Sequence, residues 1–385
     1  MLIQDKKIAI VGGGPGGLTL ARLLQQNGAK VRVYERDLNR EVRVQGATLD
    51  LHTESGLKAL QEAGLMDAFK KNYRPGAEKM RITDHNATIF YDEHAENTEH
   101  LFGGVFSRPE IDRGPLRDIL LDSLEPNTVV WDSQFVTMTE VNGGWRLAFR
   151  NGTSAIADIV IGADGANSKV RPFVTPIRPF YTGVTALEGS VYDSEKTVPN
   201  IHELLRGGKI FAFADSKNLI VSSKGDGSIA FYTSCKKDEN WVTDSGIDFS
   251  DKMQVTEWFK REYPGWDSIW LELFINAHVP YTPRPIYCMP LDQAWDALPN
   301  VTMLGDAAHL MPPYAGEGVN MAMLDALELS ECLFNAEFTD VHSAIGAYEL
   351  HMRKRASEAA LMSLENSEWM HADGALVNML AMFGQ

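Results

Sequence analysis

The chain of 385 residues has little cysteine and no long apolar run. Its three cysteines, Cys235, Cys288 and Cys332, lie far apart and form no C-x-x-C pair. This spacing argues against a disulfide framework and a cysteine zinc site, so we expect a reducing compartment and no bound metal. No uninterrupted apolar stretch approaches the roughly 20 residues of a membrane-spanning helix, and the charged start is unlike a signal peptide. These absences predict a cytoplasmic protein without stable membrane association.

Positive charge is also scarce. Lys and Arg total 36 against 52 Asp and Glu, which gives a formal net charge of −16 and a pI near 5.1. Nucleic acids and anionic membranes would repel such a chain, so we exclude both as partners. The length allows two or three domains with a large core. We therefore expect small-molecule chemistry, carried out by a monomer.

What the chain does contain is a glycine-rich turn near its start. Residues 7–21 have the pattern of a short apolar strand, a glycine turn and a helix. Gly12, Gly14 and Gly17 fit G-x-G-x-x-G, which permits a tight turn, pyrophosphate approach and close helix packing in that order. A second strand ends in Glu35, eighteen residues after Gly17 (35 minus 17), where an acceptor for ribose hydroxyls belongs. Together they predict a β-α-β-Glu dinucleotide-binding unit; the alternative is a glycine-rich turn without a ligand.

The pattern of apolar and turn residues changes twice after this unit. Residues 173–281 show short alternating runs with turn residues between them, and with 78–101 they predict an inserted antiparallel sheet that binds substrate. The nucleotide-fold pattern then resumes, so the fold class is α/β, with a Rossmann-like central parallel sheet built from discontinuous segments. A long C-terminal helix and a shorter one should bridge the two domains. The nucleotide-binding segments are 1–77, 102–172 and 282–340, and the bridging helices occupy 341–385.

The same patterns predict the local elements. Apolar spacing of three and four residues favours helices, and alternation favours strands. The predicted helices include 55–69, 111–121, 168–174, 319–333 and one reaching about residue 369. The predicted strands include 79–89, 129–141, 145–149, 156–165, 209–214, 219–223 and 228–234.

Two further motifs follow the opening turn. They are Gly162-Ala-Asp-Gly-Ala-Asn-Ser168 and Gly305-Asp-Ala-Ala-His-Leu-Met-Pro-Pro313. With all three motifs in this order, most of the chain resembles the single-component FAD-dependent aromatic hydroxylases. Within that family it is most similar to the tetracycline-inactivating flavin monooxygenases, through residues 24–28, 46–52 and 305–320.

The resemblance implies FAD as cofactor and NADPH or NADH as co-substrate. Glu35 would accept the adenosine ribose hydroxyls, and Arg113 would bridge flavin and pyrophosphate. Asp306 would bind the ribityl or pyrophosphate region, and Arg43 matches the position at which such enzymes engage NADPH. The other cofactor-binding residues that the resemblance implies are Gly12, Gly14, Gly17, Arg36, Asp50, Asp164, Gly316 and Gly318.

The resemblance also implies a reaction. A hydride would reduce the flavin, O₂ would form a flavin C4a-hydroperoxide, and its distal oxygen would pass to a phenolic or enolic substrate, tetracyclines included. The cofactor supplies this chemistry, so no dedicated catalytic side chain is expected. A flavin reductase or halogenase of the same fold, or a flavoprotein that sequesters a ligand without turnover, are the alternatives. The lack of a W-x-W-x-I-P stretch argues against the halogenase.

Substrate specificity transfers less well than the cofactor machinery. A gap-free alignment from Thr182 with the tetracycline-inactivating enzymes places four of their drug-contacting positions in this chain. None of the four residues is identical; they are Glu188, Lys209, Ile220 and Ala230. Lys209 keeps a positive charge without the planar fork of an arginine. The predicted substrate contacts are Glu188, Lys209, Ile220, Ala230, Pro313 and Tyr314.

Three other charged residues carry separate predictions. Glu317 replaces the glutamine of the flavin loop in the resembling enzymes, which places a carboxylate near the flavin pyrimidine edge unless it turns outward. His309, within Ala-Ala-His-Leu, is expected to be a hydrogen-bonded structural histidine rather than an acid or base. Arg117 is expected to pair with an acid on its own helix.

Overall fold

The computed structural model describes residues 2–42, 46–95 and 108–384. Among the described helices, none combines the length and apolar character needed to cross a membrane. The strands are β1 (Lys7–Val11), β2 (Lys30–Tyr34), β3 (Leu49–Asp50), β4 (Met80–Asp84), β5 (Ile89–Asp92), β6 (Glu110–Ile111), β7 (Val129–Val130), β8 (Phe135–Val141), β9 (Gly144–Phe149), β10 (Ser154–Ala157), β11 (Ile159–Gly162), β12 (Phe180–Val191), β13 (Lys209–Ala214), β14 (Lys217–Ser223), β15 (Ile229–Lys236), β16 (Thr282–Cys288) and β17 (Val301–Met303). The helices are α1 (Pro15–Gln26), α2 (Gly56–Glu62), α3 (Met66–Asn72), α4 (Arg113–Asp122), α5 (Arg171–Val174), α6 (Ser194–Thr197), α7 (Pro199–Leu205), α8 (Trp241–Asp244), α9 (Lys252–Glu262), α10 (Leu271–Asn276), α11 (Asp306–His309), α12 (Gly318–Phe334), α13 (Val341–Met370) and α14 (Ala375–Ala381).

A five-stranded parallel sheet carries the opening turn. Its order is β17-β11-β1-β2-β7, and the pairings are parallel. The four residues of β11 are all buried, as in a sheet that is covered on both faces. Val11 is in register with Gly162, and Gly162 with Met303, so β1, β11 and β17 end side by side. The three motifs follow these three strands and therefore meet at the carboxyl edge of the sheet, where open α/β sheets bind ligands.

A second large sheet has seven strands, in the order β16-β12-β15-β14-β13-β4-β5. Its pairings are antiparallel except for β4 with β13, which are parallel and come from distant parts of the chain. One face packs against α7, α9 and α10 through an apolar core. The parallel sheet and this antiparallel sheet confirm the predicted fold class. The predicted domain limit at residue 282 separates β16 from the sheet to which it belongs, because β16 pairs with β12.

The long C-terminal helix is also confirmed, as α13 of 30 residues. Near its start, the Tyr348 hydroxyl donates to the Met303 carbonyl at 3.0 Å, at the end of β17. Just beyond its end, the ring of His371 lies 2.8 Å from the Ser234 hydroxyl, on the seven-stranded sheet. The helix therefore connects the two sheets directly.

Several predicted elements are divided in the structure. The helix predicted over 55–69 is two helices, α2 and α3, separated by Gly64, whose φ of +70° ends the first. The strand predicted over 79–89 is the hairpin β4–β5. The strand predicted over 129–141 is divided between two sheets as β7 and β8. The strand predicted over 156–165 breaks at Asp158, whose carboxylate accepts the Lys7 N–H at 2.7 Å while the chain passes from β10 to β11.

Candidate cofactor and substrate site

The three glycines of the opening turn have different surroundings. Gly12 has φ of +110°, and a Cβ there would lie 2.2 Å from the Ala163 carbonyl oxygen. A Cβ on Gly17 would lie 2.2 Å from the Gly12 carbonyl oxygen. Gly14 has an ordinary φ of −77°, and its Cβ would meet nothing within 4 Å. Gly12 and Gly17 are therefore required by the protein itself, whereas Gly14 keeps space open at the N-terminus of α1, where a pyrophosphate fits.

Glu35 lies directly below this turn, at the end of β2. It is buried, and its Oε2 accepts the Gly13 N–H at 2.5 Å while Oε1 accepts the Asp37 N–H at 3.0 Å. A carboxylate has acceptor sites beyond these two, so it can still receive a ribose hydroxyl. Arg36 is exposed on the surface. Arg43 lies outside the described residues.

A carboxylate and a guanidinium lie near each other at the carboxyl edge of the parallel sheet. Asp306 begins α11, and surrounding protein raises its pKa, although the positive charges of His309 and Arg113 act in the opposite direction. Its side chain nevertheless remains solvent-accessible, as in a concave site. Arg113 begins α4, donates from Nε to the Ala47 carbonyl at 3.0 Å and is exposed. The two predicted ligands of the cofactor are thus brought together.

Asp164 is less available than the prediction requires. Its Oδ1 accepts the Ser168 hydroxyl at 2.6 Å, and its Oδ2 accepts the N–H of Lys169 at 2.7 Å and of Val170 at 3.3 Å. The carboxylate therefore holds its own turn together. Its role toward a cofactor stays a prediction.

The loop before α12 lies against β3. Gly316 has φ of +70°, and a Cβ there would lie 3.3 Å from Asp50 Oδ1. The buried amide of Asn320, in the first turn of α12, donates to the Asp50 carbonyl at 3.0 Å and accepts the His52 N–H at 2.9 Å. A Cβ on Gly318 would meet nothing within 4 Å. The loop thus approaches Asp50 closely and presents an open helix N-terminus.

The predicted substrate contacts on the seven-stranded sheet share one face. Strand pairing places Glu188 opposite Tyr232, and Tyr232 opposite Ile220. In the adjacent row, Ala230 lies opposite Ser222, which lies opposite Lys209. Side chains two residues apart on a strand share a face. The four predicted contacts therefore lie on the face away from the apolar core; they are Glu188, Lys209, Ile220 and Ala230.

Two of these four residues are charged, and both are already paired. Arg284 donates to Glu188 at 2.5 Å, and Lys209 forms an ion pair with the buried Glu110. Ile220 packs in the cluster that includes Tyr314. Ala230 is only 1% exposed, and so it offers a ligand neither a polar group nor much surface.

Pro313 and Tyr314, in the loop before α12, differ in exposure. Pro313 is exposed. Tyr314 is half-buried, its ring meets that of His371 edge-on at 5.2 Å, and its carbonyl accepts from Asn366 at 3.0 Å. Tyr314 therefore lies where the loop, the C-terminal helix and the sheet converge.

Three polar residues at this site were not predicted from the sequence. The Tyr232 hydroxyl accepts the Ala47 N–H at 3.1 Å, and burial raises its pKa, so the hydroxyl keeps its proton. Glu110 pairs with Lys209, and His52 lies between two carboxylates. The alternation of the strand could have revealed Tyr232, two residues after Ala230. Nothing in the sequence pattern indicates the partners of Glu110 or His52.

The predictions for His309 and Arg117 can be compared directly with the structure. His309 is buried and hydrogen-bonded to Asp325 Oδ2 at 2.5 Å, which agrees with a structural histidine. The prediction for Arg117 is wrong, because Arg117 pairs with Asp37 at 2.9 Å rather than with an acid on α4. Asp37 follows β2 closely, and only the packing of α4 beside this segment brings the two together.

Comparisons with known proteins agree with this geometry. The profile of a family described as "FAD binding domain" matches residues 5–246 and 297–362. The chain is 27% identical to the monooxygenase asqM of Emericella nidulans, over 94% of this chain and 95% of the relative. It is also 27% identical to the 6-hydroxynicotinate 3-monooxygenase of Pseudomonas fluorescens, over 96% of this chain and 93% of the relative.

Solved structures share the whole fold. A protein of Photorhabdus luminescens, described as a candidate FAD-containing monooxygenase, superposes with a TM-score of 0.78 at 26% identity, over 97% of this chain and 99% of its own. The tetracycline destructase Tet(55) superposes with a TM-score of 0.75 at 20% identity, over 96% of this chain and 90% of its own. At that identity the likeness to the destructase extends to the fold alone.

Proposed function

This chain belongs to the FAD binding domain family and is an FAD-dependent monooxygenase, and we propose that it oxidises NADPH or NADH and hydroxylates an electron-rich phenolic or enolic molecule. The observation that carries the proposal is the meeting of three motifs at the carboxyl ends of β1, β11 and β17. There the open space at Gly14, and the proximity of the Arg113 guanidinium to the Asp306 carboxylate, suit a dinucleotide cofactor.

The protein's own residues would bind and orient the cofactor. The N-terminus of α1 would receive the pyrophosphate beside Gly14, and Glu35 would accept ribose hydroxyls. Arg113 and Asp306 would contact the part of the cofactor between its two ends. Bound FAD supplies the redox chemistry and the activation of O₂. The amides of Gly316 and Gly318 would face its electron-rich edge.

The sheet face opposite the apolar core would bind the substrate. Tyr232 presents a protonated hydroxyl that accepts from Ala47 and can still donate to a substrate oxygen. Ile220 and Tyr314 supply apolar surface beside it. A compact aromatic with one or two oxygens suits this mixture better than a drug with many polar groups, because the charged side chains nearby are paired with one another.

We expect purified protein to be yellow, with one noncovalent FAD, and to turn over tetracycline poorly. In our register Glu188, Lys209, Ile220 and Ala230 replace the groups that pair with the drug. Each buried drug oxygen without a partner costs about 1–3 kcal/mol. Two such losses would lower efficiency roughly 30- to 20,000-fold.

The test measures NADPH and NADH oxidation with 6-hydroxynicotinate, simple phenols and tetracycline, together with the mass of each product. One added oxygen on a hydroxyaromatic supports the proposal. Wild-type protein that stays apo when supplied with FAD contradicts it, and nicotinamide oxidation without oxygenated product indicates a reductase. Tightly coupled oxygenation of tetracycline at low micromolar concentration would show that the register across residues 182–234 is wrong.

Arg43→Ala should slow flavin reduction by NADPH more than it weakens FAD binding. Arg43 follows Glu35 on a polar connection, where a guanidinium can engage a phosphate of the nicotinamide cofactor. Stopped-flow reduction and FAD titration measure the two effects separately, and Arg261→Ala, at an exposed arginine of α9, is the control. An equal loss in both measurements would mean that Arg43 serves the fold or the flavin instead.

A further inference from the structure

His52 lies between two carboxylates at the flavin loop. Its Nε2 is 3.1 Å from Asp50 Oδ2, and its Nδ1 is 3.3 Å from Glu317 Oε1. The three side chains are only 15–23% exposed. Ionised carboxylates accept hydrogen bonds and donate none, so a ring that meets one at each nitrogen carries both protons. The geometry therefore describes an imidazolium held by two anions, which we name the His52 clamp (Asp50, His52 and Glu317).

The surrounding charges support this protonation state. Burial by itself would lower the pKa of His52, but the hydrogen bonds to Asp50 and Glu317 raise it to about 9. Burial likewise opposes ionisation of Asp50, yet His52 and the charge of Lys209 lower its pKa. Glu110, opposite Asp50 on the paired strand, is itself neutralised by Lys209.

The position of Glu317 shows what the clamp achieves. Glu317 is the N-cap residue of α12, yet its carboxylate makes no side-chain hydrogen bond to the amides of that helix. The first N–H groups of a helix lack intrahelical partners and attract negative charge. A free carboxylate at this position would therefore compete for them. His52 instead holds the carboxylate on the side of Asp50.

We propose that His52 is a positioning residue that withdraws and neutralises the Glu317 carboxylate, and so reserves the N-terminus of α12 for the electron-rich edge of the reduced flavin. This inference rests on the proposed placement of the flavin against Gly316 and Gly318. It assigns a role to Glu317, a loop residue at which this chain departs from the resembling enzymes. Without His52, the negative charge of Glu317 would oppose the charge that reduction adds to the flavin.

The test compares His52→Gln, Glu317→Gln and the double variant, with His351→Gln on the exposed side of α13 as the matched control. Equilibrium reduction of the bound FAD is measured against a redox dye. We expect His52→Gln to shift the equilibrium at least tenfold toward oxidised flavin, about 30 mV for two electrons. Glu317→Gln should shift it little or toward reduced flavin, and the double variant should recover to within threefold of wild type. A merely structural role for His52 predicts no such recovery.

A second measurement needs no cofactor. Selective ¹⁵N-histidine NMR of the apoprotein, assigned with His52→Gln, should show His52 titrating near pH 9 in wild type and lower in Glu317→Gln. Titration near the ordinary value of about 6.5, or an unaltered reduction equilibrium in His52→Gln, overturns this proposal alone. Wild-type protein that binds no FAD overturns the proposed function, and the flavin role of the clamp with it.

Discussion

Replacing Gly14 with valine is expected to give a folded but colourless protein. The site of the new side chain is empty of protein atoms, and the φ of −77° suits any residue, so the fold should tolerate it. The valine would occupy the space in which a pyrophosphate meets the N-terminus of α1. Losing about two charge-assisted hydrogen bonds, at roughly 1.5–3 kcal/mol each, weakens FAD binding about 10²- to 10⁴-fold. FAD titration and thermal unfolding of the apoprotein measure the two effects.

Gly17→Ala is the matched control within the same motif. Its Cβ would lie 2.2 Å from the Gly12 carbonyl oxygen, a backbone atom that cannot move without disturbing the turn. We expect this smaller substitution to lower the melting temperature of the apoprotein, which Gly14→Val should leave within a few degrees of wild type. A strongly destabilised Gly14→Val, or one that binds FAD normally, would contradict the role assigned to Gly14.

Asp325→Asn should cause the largest loss of stability among single polar substitutions that we propose. Asp325 is fully buried in α12, where it accepts the Gly305 N–H at 2.8 Å and pairs with His309 at 2.5 Å and Arg355 at 2.6 Å. Removing one partner of a buried ion pair typically costs about 3–5 kcal/mol. An unfolding entropy of about 2.1 cal/mol/K per residue gives about 1.2 °C per kcal/mol for 385 residues, so thermal unfolding should occur about 4–6 °C lower.

Glu328→Gln provides the comparison, because Glu328 pairs with the same Arg355 at 2.5 Å but is 27% exposed. Because Glu328 contacts solvent and Arg355 keeps Asp325 as a partner, this variant should lose less stability than Asp325→Asn. Equal destabilisation by the two variants would show that Arg355, rather than the buried position of Asp325, determines the effect.

The contribution of the Asp325–His309 pair should also depend on pH. Burial by itself would raise the pKa of Asp325, but the charge of His309 lowers it, so its contribution is lost as pH falls below about 4. Burial by itself would lower the pKa of His309, but Asp325 raises it, so that contribution is lost as pH rises beyond about 6.5 and through the folded-state value. The difference in melting temperature between wild type and Asp325→Asn should therefore be largest between about pH 4 and 6.5.

Elements with a strong local signal were predicted well. The helix predicted over 319–333 is α12 at Gly318–Phe334, and the strand predicted over 209–214 is β13. Elements that the structure divides were predicted as single segments. A break such as the one at Asp158 depends on the Lys7 N–H, which lies 151 residues away in the chain. An alternating pattern predicts a strand but does not show to which sheet the strand belongs. The sequence therefore does not reveal that β7 and β8 belong to different sheets.

The sequence by itself determined the fold class and the family, because the glycine turn, the buried strands and the acid after β2 act through local backbone geometry. Tertiary structure decided which groups are available for binding. It distinguished Gly14 from Gly12 and Gly17, paired Lys209 with Glu110, and drew Glu317 to His52. These outcomes depend on contacts between segments far apart in the chain, and burial and charge pairing, which set their energies, exist only once the sheets and helices have packed together.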